Sequence, residues 1–174
     1  MQVPVLATAH LRLRPYQMDD AANVFTSLTG NEAVTTHLLA PAHTSILQTQ
    51  AWIAQILAHN DDPAVAYWLI DMPDTQQIVG SISLIYRAAY DMYALGFIIR
   101  PDCWGSGYAT EASRAVIRYA FDTLELPALL AFHKADNPAS AAVLRKIGFH
   151  YWQDILTCDA QRMPAYLCEH DTPF

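Results

Sequence analysis

The chain is short of positive charge. Its 174 residues carry 10 Lys and Arg against 17 Asp and Glu, a formal net charge of −7. A nucleic-acid binder normally presents a basic face, so this balance argues against nucleic acid as a partner. An acidic surface suits a cationic substrate such as an amine, and it also serves solubility alone. Charged residues are 16% of the chain and apolar ones 53%, enough for a sizeable core and unlike a disordered segment. No apolar run approaches the roughly 18 residues of a membrane span, so no membrane partner is expected. Cys103, Cys158 and Cys168 are odd in number and lack metal-ligand spacing. Met1 to His10 shows no basic stretch leading into a long apolar one, as a signal peptide would. The expected compartment is therefore the reducing cytoplasm. Repeats, low-complexity stretches and linkers are also missing, so one domain over residues 1–174 is expected.

What the chain does have is a turn built for a ligand. The apolar run Leu95-Gly96-Phe97-Ile98-Ile99 leads through Arg100-Pro101-Asp102-Cys103 into Trp104-Gly105-Ser106-Gly107-Tyr108-Ala109-Thr110-Glu111-Ala112. A strand thus hands over to a helix through two glycines. Glycine allows close backbone approach and left-handed conformations. A helix start offers unpaired N–H groups at the positive end of its dipole. Together these form a phosphate cradle, so a phosphorylated ligand is expected. A nucleoside-triphosphate loop would need Gly-Lys-Ser/Thr, but Tyr108 follows Gly107. A dinucleotide fingerprint would need a small residue where Thr110 stands, and the turn comes too late for the βαβ units that follow one.

The flanks of this turn resemble the pyrophosphate loop of the GNAT superfamily of N-acetyltransferases, written Q/R-x-x-G-x-G/A. Trp104 takes the first position, Gly107 the glycine and Ala109 the last small residue. Trp followed by G-x-G-Y-A-T-E-A is similar to the branch that contains the ribosomal-protein N-terminal acetyltransferases. Asn137-Pro138-Ala139-Ser140, with Val143, Lys146 and Gly148-Phe149, resembles a second signature of that branch. Leu11-Arg12-Leu13-Arg14-Pro15 with Asp19-Asp20-Ala21 resembles its opening. The likeness spans about residues 8–170.

The resemblance implies an enzyme that moves an acetyl group from acetyl-CoA directly to a primary amine, either a protein N-terminus or a small molecule. The alternative is a non-catalytic acyl-CoA-binding module of the same fold. The implied protein is a monomer or homodimer with an α/β fold: a mixed, mostly antiparallel sheet, splayed at the cofactor site and flanked by helices. In that fold the backbone of Phe97, Ile98 and Ile99 pairs with the pantetheine arm. Amides from Gly105 through Ser106, Gly107, Tyr108 and Ala109 to Thr110 hold the pyrophosphate. Trp104 leaves no Gln or Arg side chain to touch phosphate, though an indole can stack or shield the loop.

Asn137 matches the family's asparagine beside the pantetheine, and Ser140 the serine that protonates the departing thiolate. Both also suit a helix start, with Asn137 or Asp136 as cap and Pro138 in the first turn. The usual glutamate base, two residues ahead of the strand glycine, is replaced by Ala94. The alternative tyrosine acid, seven residues after the asparagine, is replaced by Leu144. Asp159 is one stand-in, or a solvated turn residue. His37, in the segment Asn31 to His43 that shapes the family's acceptor site, is another. His133, inside an apolar strand, reads as a satisfied core residue.

Patterning places the remaining elements. Leu11 to Arg14 alternates as a half-buried strand. Helices are expected over Met18–Leu28, from a Thr44 or Ser45 cap to Ala58, over Ala109–Leu124 and over Asn137–Ile147. Strands are expected over 64–71, 77–87, 92–99 and 129–133, followed by a closing hairpin of 151–156 and 163–169.

Overall fold

A computed structural model describes residues 3–156, 161–170 and 172. The chain opens with two short strands, β1 (Leu6–Ala7) and β2 (Arg12–Arg14). A helical stretch follows: a 3₁₀ turn at Met18–Asp20, α1 (Ala21–Val24) and a π turn at Phe25–Thr29. Then come α2 (Glu32–Thr35), α3 (Ile46–Ala58), β3 (Val65–Asp71), β4 (Ile78–Arg87) and β5 (Met92–Ile99). The second half holds α4 (Tyr108–Arg118) with a π turn at Tyr119–Thr123, β6 (Ala128–Phe132), α5 (Pro138–Lys146), β7 (His150–Leu156) and β8 (Arg162–Glu169).

The eight strands form one sheet in the order β1-β2-β3-β4-β5-β6-β8-β7. Every neighbouring pair is antiparallel except β5 and β6, which run parallel. Side chains alternate between faces, and each face finds its own helices. Trp68, Leu84, Leu95 and Leu129 pack with α4 and α5 through Val116, Ile117 and Leu144. Leu69 and Ile78, on the other face, pack with α1 and α3 through Val24, Ile53 and Ile56. Of the apolar positions at helical spacing through α4 and its π turn, Ala112, Val116 and Ala120 are buried and Ala109 and Leu124 half-buried.

The opening motif acquires a physical role. Asp71 is fully buried at the end of β3, and Arg12 grips it with two hydrogen bonds of 2.9 Å. Arg14 reaches the same carboxylate at 2.7 Å and clamps Asp20 at 2.7 and 2.9 Å. Bonds to both carboxylates hold the Arg14 guanidinium more firmly protonated than usual. These bonds join the first strands and the start of the first helical stretch to the sheet.

One local expectation changes, and two short elements are added. Ser45 stands at the start of α3 but its side chain caps nothing; Gln48 Oε1 instead accepts from the Thr44 amide at 2.7 Å. The segment from Asn31 contains a helical turn, α2, capped by Asn31 Oδ1 on the Ala33 amide. β1 adds a two-residue edge strand. Elements this short carry no periodicity to read.

Candidate active site

The site begins where two strands part. β5 and β6 pair only at Tyr93–Leu129 and Ala94–Leu130, so from Leu95 onward β5 has no partner on that side. Backbone groups in an antiparallel ladder alternate between neighbours. The Arg100 amide bonds Val79 of β4 at 2.9 Å, and Ile98 pairs with Ser81 in the same phase. Ile98 therefore turns its backbone toward β4, while Phe97 and Ile99 turn theirs into the gap. Of the three residues expected to pair with a pantetheine arm, Phe97 and Ile99 are available and Ile98 is not; Ile98 only lines the cavity. The Ile99 carbonyl is already taken by the Trp104 indole N–H at 2.7 Å.

The turn after β5 ends in left-handed glycines. Gly105 has φ +78° and Gly107 φ +83°, and a Cβ built on either meets nothing within 4 Å. Gly107 is the N-cap residue of α4, with no side-chain cap. The first amides of α4, at Tyr108, Ala109 and Thr110, thus face open space at the positive helix end. Phosphate oxygens fit this cradle. Ser106 is exposed between the glycines and does not border the cavity.

The gap and the turn open into one cavity of about 740 Å³. Its loop end is bordered by Trp104, Gly105, Gly107, Ala109 and Thr110, and its middle by Phe97, Asn137 and Ser140. Its far end is closed by Val34, His37 and Leu38 over Trp52 and Tyr67. This roof is the segment from Asn31, pinned by Lys134 Nζ donating to the Thr36 carbonyl at 2.9 Å. Trp52 packs edge-on against Tyr16, His43 and Tyr67, which gives the far end an aromatic floor. Cys103 also borders the cavity; burial pushes its thiol pKa up, so it stays protonated.

Asn137 caps α5, its Oδ1 accepting from the Ser140 amide at 3.0 Å. Its carbonyl oxygen is thereby committed and its amide N–H groups are left for a ligand. Ser140 is half-buried on the cavity wall. Ala94 and Leu144, the positions of the missing base and acid, are packed in the core, and neither side chain can exchange a proton. Asp159 lies outside the described residues. His37 Nδ1 stands 3.5 Å from Asp136 Oδ1, too long for a strong bond.

His133 corrects an expectation. It is 8% exposed, and its Nδ1 lies 2.7 Å from the Lys134 carbonyl, which requires Nδ1 to carry the proton. Its Nε2 has no hydrogen-bond partner, so the residue borders the cavity as an unsatisfied acceptor.

A second cavity, of about 610 Å³, adjoins the loop. Gly107, Thr110 and Lys146 border both cavities, and Arg114 and Arg118 line the second. Residue reading missed this cluster; the four-residue step from Arg114 to Arg118 was its one signal. Glu111 also faces it. Its carboxylate accepts from Thr8 Oγ1 at 2.6 Å and the His10 amide at 2.9 Å. Burial raises the Glu111 pKa, but these bonds outweigh it and hold the carboxyl below its ordinary value.

A splayed β5–β6 pair with a glycine loop opening the next helix defines a fold class, and comparison with known proteins agrees. Residues 10–150 match the family model described as an acetyltransferase (GNAT) domain. The uncharacterized N-acetyltransferase YoaA of Bacillus subtilis (strain 168) is 31% identical over 147 residues, 84% of this chain and 82% of that protein. The ribosomal-protein-S5-alanine acetyltransferase from Vibrio fischeri superposes with a TM-score of 0.82 at 16% identity, covering 97% of each chain. Spermidine N-acetyltransferase from Vibrio cholerae, solved with CoA and spermine, gives 0.79 at 16% identity over 95% of this chain and 98% of that one. The chain belongs to the GNAT acetyltransferase family, an enzyme family whose acetyl donor is acetyl-CoA. Among the described residues no helix is long and apolar enough to cross a membrane.

Proposed function

We propose that this enzyme acetylates a primary amine, on a protein N-terminus or a small molecule, by direct transfer from acetyl-CoA. The observation that carries the reading is the continuous cavity from the left-handed glycine loop, past the unpaired side of β5, to the aromatic end under His37. Acetyl-CoA supplies an already activated thioester. The chain's own work is to bind, orient and move protons. Amides of Tyr108, Ala109 and Thr110 hold the pyrophosphate; the Phe97 backbone and Asn137 side chain orient the pantetheine arm. The Ser140 hydroxyl gives its proton to the departing thiolate. Ala33 to Leu39 and Trp52 enclose the acceptor. His37 and His133 are the two imidazoles bordering the cavity that can take the amine's proton.

A screen of amines and N-terminal peptides, read by free-thiol release, tests this. Acetyl-CoA should also raise the melting temperature, because it binds only the native state. Acetyl-CoA that neither stabilises the protein nor loses its acetyl group to any amine would overturn the reading.

A further inference from the structure

The acids of this chain stay out of its main cavity. The sequence carries 17 Asp and Glu. Among the described residues, none that borders the cavity of about 740 Å³ is either one. Lys146, shared with the second cavity, is the one bordering side chain with a fixed charge. Burial raises the pKa of Cys103 and of Tyr67, so both stay protonated and uncharged. Asp136, 3.5 Å from His37 Nδ1, lies outside the border with its side chain 74% exposed, where water screens its charge. The net charge of −7 therefore acts on the surface and not on an acceptor within.

What borders the acceptor end instead is apolar and rich in rings. Trp52 and Tyr67 are half-buried, with ring centroids 6.2 Å apart at 78°. Val34 and Leu38 cover them, and Phe132 of β6 and Met163 of β8 add apolar surface to the same cavity. Ser81 Oγ is spent on the Trp68 carbonyl at 3.1 Å. These surroundings sort amines. A second ammonium would leave water with no carboxylate to meet it, a cost that only pairing offsets. A peptide would bring an N–H and a C=O per residue, each needing a partner when buried. An aromatic body gains both area burial and edge-on ring contacts. The same surroundings favour the neutral form of the reacting amine, the form that attacks.

We infer that the acceptor is a small apolar monoamine with an aromatic body, and that polyamines and peptide N-termini are poor acceptors. The inference rests on the acetyl-transfer reading above and names its substrate class.

Initial rates of free-thiol release from acetyl-CoA by the intact protein test it, with phenethylamine, hexylamine, hexamethylenediamine and an Ala-initiated tetrapeptide as acceptors. In kcat/KM, phenethylamine should exceed hexylamine several-fold. Hexylamine should exceed the diamine by about tenfold or more, because the two differ only by a second ammonium. The peptide should fall below hexylamine as well. Leu38→Glu brings a carboxylate to the border, and should narrow the gap between hexylamine and the diamine while slowing phenethylamine. Leu39→Glu, at a 57% exposed position bordering the same cavity, should show the same exchange with little burden on folding. A diamine or peptide turned over as fast as phenethylamine would overturn the inference and leave the acetyltransferase reading intact. So would acetyl-CoA that raises the melting temperature yet releases no thiol with phenethylamine. A gap between hexylamine and the diamine unchanged in both folded variants would overturn its assignment to the missing carboxylate. Acetyl-CoA that neither stabilises the protein nor releases thiol with any of the four amines would overturn the underlying reading and the inference with it.

Discussion

The indole N–H of Trp104 donates to the carbonyl of Ile99 at 2.7 Å, tying the glycine loop back to the end of β5. The family pattern has Gln or Arg here, and the residue that replaces it does different work. It ties the loop to the strand while bordering the cavity itself, and the residue is 55% exposed. Trp104→Phe keeps an aromatic ring and removes the donor. The loss should cost about 1 kcal/mol of stability, and the loosened loop should bind acetyl-CoA several-fold more weakly. Denaturant midpoints and calorimetry report the two effects. A variant with unchanged affinity would show that the loop holds its shape without this bond.

Gly107 sits at φ +83° with open space where a Cβ would stand. A side chain there meets no protein atom, so its folding cost is backbone strain, roughly 1–2 kcal/mol. In the proposed reading that open space takes the pyrophosphate. Gly107→Val should therefore lower acetyl-CoA affinity by more than it lowers stability, and Gly107→Ala should do the same more mildly. Comparing the calorimetric change with the shift in denaturant midpoint decides. Folded variants that bind normally would remove the cradle.

Glu111 gives a pH dependence whose sign follows from its surroundings. Its carboxyl titrates below the ordinary value, because hydrogen bonds from Thr8 and His10 outweigh the burial that opposes them. A depressed acid contributes stability that is complete above its unfolded-state pKa and is lost as pH falls through the folded one. The window opens near the ordinary glutamate pKa of about 4.3 and extends downward. Glu111→Gln should melt lower than the parent at neutral pH, and the two should converge in acid. Melting curves across pH 3 to 7, on the order of that window, would show it. A gap independent of pH would mean that the carboxylate's charge contributes nothing.

Much of this was legible in residues, for definite reasons. β3, β4 and β5 carry long β-branched and aromatic runs between turn residues, and α4 carries an unbroken apolar stripe. Gly105 and Gly107 were readable because left-handed φ leaves few alternatives to glycine. The splay between β5 and β6 was legible only through family resemblance, since register is a property of two strands far apart in the chain. The direction of the Ile98 amide was not legible for the same reason: which strand an amide faces depends on a partner's phase. His133 looked like core because an apolar strand surrounds it, and only packing reveals that Nε2 lacks a donor. The basic cavity was hidden because Lys146 joins Arg114 and Arg118 only after α5 has packed beside α4.

Ser140 tests the proposed chemistry most directly. It stands on the cavity wall in the first turn of α5, where its amide, not its hydroxyl, engages Asn137. Because the cap is made by the Asn137 side chain, Ser140→Ala leaves the helix start intact and should change stability little. That removes the ambiguity that residue reading faced, in which capping and catalysis made the same residue valuable. If the hydroxyl protonates the thiolate, the variant should lose about 10²–10⁴-fold in kcat, with acetyl-CoA affinity nearly unchanged. A loss in KM alone would instead mark Ser140 as a binding contact. Turnover equal to the parent's would refute the assignment and place the thiolate's proton on water. His37→Gln and His133→Gln, measured beside it, should separate the two ends of the proton's path. The imidazole that takes the amine's proton should cost kcat, and that loss should shrink as rising pH leaves more of the amine neutral. The other should leave the rate close to the parent's. If neither lowers the rate, both imidazoles are excluded from proton transfer.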